Sequence, residues 1–189
     1  MTVYTGPVDI DISSYDSFRN AVLGNGYNMD GAYGCQCWDL GAELWYNVGT
    51  YSYPYLLTGP NGYAYECWTV SRVENAQDNF ELIYDKTQIK RGDMIILGPT
   101  ASNPPGHNGF ADEDYNGTDY ITVVGQNQGG SPSTPGGGTV TTRNTLGLDQ
   151  FLGAFRYKEW QETPPTPTET KHRFKWVLYA KHLRNRSIM

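Results

Sequence analysis

The sequence predicts an α+β domain on three observations: two amphipathic stretches of helical period near the start, short apolar or alternating segments after residue 90, and abundant Gly and Tyr. With 22 Gly, 15 Tyr and 38% hydrophobic residues, the composition suits a loop-rich α+β or β-rich domain better than a helical bundle. A chain of 189 residues holds one core-bearing domain and an accessory segment, and is too short for two full-sized domains.

The elements follow in order. "SSYDSFRNAVLGNG" (13–26) reads as a short helix, with Ser13 or Ser14 as N-cap, Phe18, Ala21 and Val22 on one face, and Gly24 or Gly26 as terminator. "CQCWDLGAELWYNVG" (35–49) spaces Cys37, Leu40, Leu44, Trp45 and Val48 as one helical stripe that stops at Gly49, which places Cys37 at or beside a helix N-terminus. Residues 50–66, rich in Tyr, Gly and Pro, read as a surface loop lining a cleft. "DMIILG" (93–98) follows the turn "KRGD" and is a buried strand. "HNGFADEDY" (107–115) and "YITVVGQNQ" (120–128) form an antiparallel pair across the turn "NGT". "GGSPSTPGGG" (129–138) reads as flexible, and "QFLGAFRYKEW" (150–160) as a closing strand. Residues 1–160 thus make the domain, 161–170 a Pro/Thr linker, and 171–189 a basic tail.

Charge and composition exclude several classes. The tail holds six of the 14 basic residues and no acid, leaving the first 170 residues at a net charge of −12, which repels nucleic-acid phosphates. No run approaches the roughly 18 apolar residues of a membrane span. The start, "MTVYTGPVDIDISSYD", has no basic stretch followed by an apolar one, so no secretory signal is read: synthesis in a host cytoplasm is expected, and work outside it needs another exit. The tail reads either as an alternating strand or as a basic helix; it is an anchor for an anionic wall polymer or membrane, a dock for a virion protein, or a stretch packed on the domain.

Three cysteines, Cys35, Cys37 and Cys67, argue against a disulfide framework, and Cys-x-Cys is poor disulfide geometry. Zinc lacks a cluster of four N/S ligands at workable spacing. Two readings remain: small buried side chains, or a reactive thiol at Cys37. A helix N-terminus stabilises a thiolate, and its N–H groups, with the amide of the preceding Gln36, can hold an oxyanion. His107 is the one imidazole before the tail, and Asn127, placed by strand alternation with Ile121, Val123 and Gly125, is a candidate orienter of that imidazole.

The strings "YNMDGAYGCQCWDL", "RGDMIILG", "GHNGF" and "ITVVGQNQGG", in this order, resemble the CHAP family of cysteine- and histidine-dependent amidohydrolases/peptidases, found in phage lysins and bacterial wall hydrolases. The resemblance runs from about Phe18 to about Trp160. It implies a papain-like (NlpC-type) fold with N-terminal helices packed on an antiparallel sheet, Cys37 as nucleophile, His107 as base, Asn127 as orienter, and Gln36 with the Cys37 N–H as oxyanion hole. Many phage members carry a Glu two residues before the Asn; here Gly125 stands there, which leaves Asn127 alone or Asp112, Glu113 or Asp114 to serve the imidazole.

The loop before Cys37 also resembles the calcium loop of some phage CHAP domains, with Asn28, Asp30 and Asp39 as ligands and the carbonyls of Ala32 and Gly34 filling the shell. The other reading of the same residues is an Asx-rich turn in which Asp39 serves the helix dipole. The function expected is cysteine-dependent cleavage of an amide bond in bacterial peptidoglycan, as endopeptidase or N-acetylmuramoyl-L-alanine amidase, in an endolysin or virion-associated lysin. The alternatives are a wall-binding or virion component that has lost the chemistry, and a protease of NlpC or papain type acting on proteins.

Overall fold

The computed structural model describes residues 1–49, 52–69, 76–129 and 133–161. Two short strands, β1 (Val3–Thr5) and β2 (Gly26–Asn28), pair in parallel and flank helix α1 (Tyr15–Val22). Ser14 caps α1 by accepting the Ser17 N–H at 3.1 Å, and the buried stripe Tyr15, Phe18 and Val22 faces the core. Helix α2 (Cys37–Val48) buries Leu40, Leu44 and Trp45, and Gly49 ends it as expected.

A six-stranded sheet follows, made of β3 (Phe80–Ile83), β4 (Met94–Leu97), β5 (His107–Ala111), β6 (Tyr120–Gly125), β7 (Thr142–Gly147) and β8 (Phe151–Tyr157). Its order is β3-β8-β4-β5-β6-β7, and every neighbouring pair is antiparallel. The architecture is therefore α+β. The expected closing strand, β8, lies inside the sheet between β3 and β4 rather than at an edge.

Strand alternation splits the apolar side chains into two cores. Met94, Ile96, Phe110, Val124 and Phe155 join Phe18, Leu40, Leu44 and Trp45 on the helical side. Ile83, Ile95, Ala111, Ile121, Val123 and Ala154 form a second cluster on the other face. Trp45 seals the first core, stacked on Phe80 with ring centroids 3.9 Å apart and edge-on to Phe155 at 5.0 Å. Removing a fully buried Trp here costs about 3–5 kcal/mol.

The stretch 50–66, expected as a surface loop, carries the 3-10 turn Tyr53–Leu57 and the start of a second, Ala64–Trp68. Trp160 closes the domain by donating from Nε1 to the Ile12 carbonyl at 3.0 Å. The linker from residue 162 and the basic tail 171–189 lie outside the described residues. No helix among the described residues is long and apolar enough to cross a membrane.

Candidate active site

The loop 29–36 delivers the chain into α2, and its shape is fixed by close backbone approach. Gly34 has φ +72°, and a Cβ there would lie 2.1 Å from the Gly137 carbonyl oxygen, so a side chain is excluded on both counts. Cys35 accordingly pairs with the glycine run: its N–H donates to the Gly137 carbonyl at 3.0 Å and its carbonyl accepts from Thr139 N at 3.1 Å. Of the stretch 129–138, expected to be flexible, the described residues 133–138 are docked against the loop before the cysteine.

Asp39 holds the helix start. Its Oδ2 accepts the Gln36 N–H at 2.8 Å and its Oδ1 the Met29 N–H at 2.7 Å. It is buried, and burial, reinforced by the charge of Asp30, pushes its carboxyl up to about 7. Asp30 Oδ1 accepts from Ala32 N at 2.8 Å, an Asx turn. Asn28, at the end of β2, has a buried Oδ1 with no hydrogen-bond partner among the described residues. The capping reading of Asp39 is therefore realised. No three His, Cys, Asp or Glu side chains cluster at metal-binding spacing among the described residues. The unpartnered Asn28 oxygen and two carboxylates close enough to feel each other's charge nevertheless fit a hard cation, which takes oxygens, amide and backbone carbonyls included.

Cys37 occupies the first position of α2 and is 7% exposed. Burial pushes its thiol up to about 11, against the pull of the Asn108, Trp38 and Cys37 backbone N–H groups, which all favour the thiolate. Asn108 follows His107 on β5, so the sulfur lies against the strand end that carries the imidazole. All three cysteines are free thiols. Cys35 is fully buried, and Cys67 donates from Sγ to the Ala64 carbonyl at 2.9 Å, so these two are packing residues.

His107 pairs with Leu97, whose side chain packs on the second core; Asn108 pairs with Ile96 of the helical core. Cross-strand partners share a face, so the imidazole starts from the side of the sheet away from α2. There it lines a cavity of about 290 Å³ with Leu97, Asn127, Gln128, Leu146 and Gln150. Burial holds the imidazole down to about 4, and its Nε2 has no partner among the described residues. No hydrogen bond joins it to the Cys37 thiol.

Asn127 departs from its expected placement. Strand β6 ends at Gly125 and Asn127 turns the chain with φ +53°, so alternation does not carry its side chain inward. It is exposed at the rim of the same cavity, and its Nδ2 donates to Gln36 Oε1 at 2.5 Å, not to the imidazole. Gln36 in turn donates from Nε2 to the Tyr33 carbonyl at 2.6 Å. The acids considered as substitutes are engaged elsewhere: Asp112 binds Arg19 at 2.8 Å and Arg143 at 2.6 Å, Glu113 accepts from Thr122 N, and Asp114 from Arg91 N.

Sequence reasoning missed Gln126. Its buried amide exchanges hydrogen bonds with both backbone groups of Tyr27, at 2.6 and 2.9 Å, and donates to the Gln36 carbonyl at 2.8 Å. It clamps β2 and the start of α2 to the end of β6. Its signal in the sequence is only its place before Asn127.

No family model matches the chain. Over 125 residues it is 33% identical to a protein of Streptococcus phage B30 named D-alanyl-L-alanine endopeptidase, a match covering 64% of this chain and 26% of that protein. The chain thus spans about a quarter of the length of this relative. Among solved structures, the wild-type endolysin LysIME-EF1 aligns with a TM-score of 0.54 and 25% identity, over 76% of this chain and 64% of that one. Ly7917, in a structure described as holding the hydrolysis product of MDP, aligns more loosely, with a TM-score of 0.41 and 20% identity over 65% of this chain and 53% of that one.

Proposed function

We propose that this chain is a peptidoglycan hydrolase of phage-lysin type, with a CHAP-like, papain-like domain that cuts a peptide bond of the wall through the Cys37 thiolate. The observation that carries the reading is the Cys37 sulfur at the first turn of α2, facing backbone N–H groups that include Asn108, next to His107. The similarity to a phage protein named D-alanyl-L-alanine endopeptidase, and to an endolysin fold, supports it and favours endopeptidase over amidase.

In this mechanism His107 turns toward the sulfur as substrate fills the site, takes the thiol proton, and the thiolate attacks the scissile carbonyl carbon. With the thiol near 11 and the imidazole near 4, proton transfer during attack is favoured over a resident ion pair. The Cys37 N–H and the Gln36 amide hold the oxyanion. The imidazolium gives its proton to the leaving amine, the C–N bond breaks, and a thioester remains. Water, deprotonated by His107, then releases the carboxylate and restores the thiol. Calcium would be held by Asn28 Oδ1, the Asp30 and Asp39 carboxylates and the carbonyls of Ala32 and Gly34. When bound it supplies positive charge that orders the loop before Cys37. The basic stretch 171–189 would serve contact with an anionic wall polymer or a virion protein.

The test is lysis of purified Gram-positive cell walls by wild type and Cys37→Ala, with mass spectrometry of the fragments. Activity that vanishes in Cys37→Ala supports the reading, and the fragments name the bond. A second reading, a wall-binding protein without chemistry, draws on Gly125 and on the unpartnered imidazole. Absence of lysis by wild type on several wall types, with Cys37→Ala binding walls as well as wild type, would favour it.

A further inference from the structure

We infer that Gln128 positions the His107 imidazole, filling the place of the side chain that Gly125 lacks. This inference rests on the reading of His107 as the base.

Phe110 pairs with Val124, so the next residue of β6, Gly125, falls on the face shared by Val123 and His107. A Cβ on Gly125 would lie 2.0 Å from Gln128 Nε2. The carboxamide of Gln128 therefore sits where a side chain at position 125 would begin. The turn at Asn127, φ +53°, sends the chain back over the end of β6, and Gln128 N donates to Thr139 Oγ1 at 3.3 Å.

Gln128 is 4% exposed, and both its amide atoms lack a hydrogen-bond partner among the described residues, as does His107 Nε2. Both residues line the same cavity of about 290 Å³. The unmet needs are complementary: a neutral imidazole donates from one nitrogen, and a carboxamide oxygen accepts. Asn127 is committed to Gln36, Asp112 to Arg19 and Arg143, Glu113 to Thr122 and Asp114 to Arg91. With the two side chains brought together in the cavity they share, His107 Nε2–H donating to Gln128 Oε1 would fix the tautomer and leave the Nδ1 lone pair to take the Cys37 proton.

The test reads the tautomer on the full chain labelled with ¹⁵N-histidine, assigning His107 by its loss in His107→Gln. Wild type is expected to show the Nε2–H form. Gln128→Met, which keeps volume without an acceptor, is expected to mix the tautomers and to lower kcat about ten- to a hundredfold at unchanged KM. Gln128→Glu keeps the acceptor and is expected to restore the Nε2–H form. An unchanged His107 spectrum in Gln128→Met, or a spectrum altered by Asn127→Ala instead, would overturn the inference. A tautomer that follows Gln128 in a protein that lyses no wall would uphold the positioning and defeat the hydrolase reading.

Discussion

Asn127 donates from Nδ2 to Oε1 of Gln36 at 2.5 Å, a bond that spans 91 residues of sequence and joins the turn after β6 to the start of α2. With Nε2 of Gln36 bound to the Tyr33 carbonyl, the amide is fixed from both ends. In the proposed mechanism Asn127 therefore acts through the oxyanion hole. Gln36→Ala should lower kcat about a hundredfold, Asn127→Ala about tenfold, and the double variant no further than Gln36→Ala alone. Rates of fragment release from walls measure this, and losses that multiply would show that the two residues act separately.

The parts of this fold legible in the sequence are those specified locally. Ser14 with the stripe Phe18 and Val22, and Leu40, Leu44 and Trp45 ahead of Gly49, carry cap and period within one turn or two. The hairpin at Asn116 and Gly117 is similarly local. Strands β1 and β2 are three residues each and gain their stability from each other across the length of α1, which no window reveals. Strand β7, "TRNTLG", is an edge strand with only weak alternation. At the site, Cys37 was legible as a helix-start thiol. Asn127 was misplaced because alternation was carried two residues past the end of β6, into a left-handed turn. Gln126 is not legible because its partners, Tyr27 and Gln36, lie far away in sequence, and Gln128 because the left-handed turn at Asn127 that folds it back over Gly125 carries no local signal.

The buried imidazole makes stability depend on pH with a definite sign. His107 is held down to about 4 from an ordinary 6.5, so the unfolded chain binds its proton first as pH falls. Stability from this group is complete above about 6.5 and is lost as pH drops toward 4, by about 3 kcal/mol in all. Asp39 and Glu43, pushed up to about 7 and about 8 by burial, act oppositely: their contribution is present in acid and lost as pH rises through those values. The comparison must therefore be differential. Urea unfolding of wild type and His107→Gln at pH 7 and pH 4.5 should show wild type losing more on acidification; equal losses would contradict the placement of His107.

Arg156 and Asp93 form a two-point pair in the sheet interior, Nε to Oδ1 at 2.9 Å and an Nη to Oδ2 at 2.8 Å, with the same guanidinium donating to the Gln88 carbonyl at 2.6 Å. Both residues are buried; without Arg156 the Asp93 carboxylate would lose its paired cation, and without Asp93 the guanidinium would keep, among the described carboxylates, only the longer bond to Glu81 at 3.3 Å. Arg156→Met should cost about 3–5 kcal/mol, as should Asp93→Asn, and the double variant should cost clearly less than the sum. Chemical denaturation gives all three values. Additive losses would mean that the pair is not coupled.

Calcium makes a prediction that does not pass through activity. If Asn28 Oδ1, Asp30 and Asp39 gather around the ion, binding to the folded chain alone must raise its stability, by about 2.7 kcal/mol at a concentration a hundred times the dissociation constant. Wild type should therefore melt several degrees higher in millimolar Ca²⁺ than in EDTA, and Mg²⁺, which prefers a tighter octahedral shell, should do less. Asn28→Ala removes one uncharged ligand and Asp30→Ala one carboxylate, while each leaves the Asp39 bonds to Gln36 and Met29 in place. The calcium increment should shrink in both variants without a comparable fall in the EDTA melting point. An equal melting temperature with and without calcium in wild type would reduce Asp39 to its capping role and leave the buried Asn28 oxygen without the cation it was assigned.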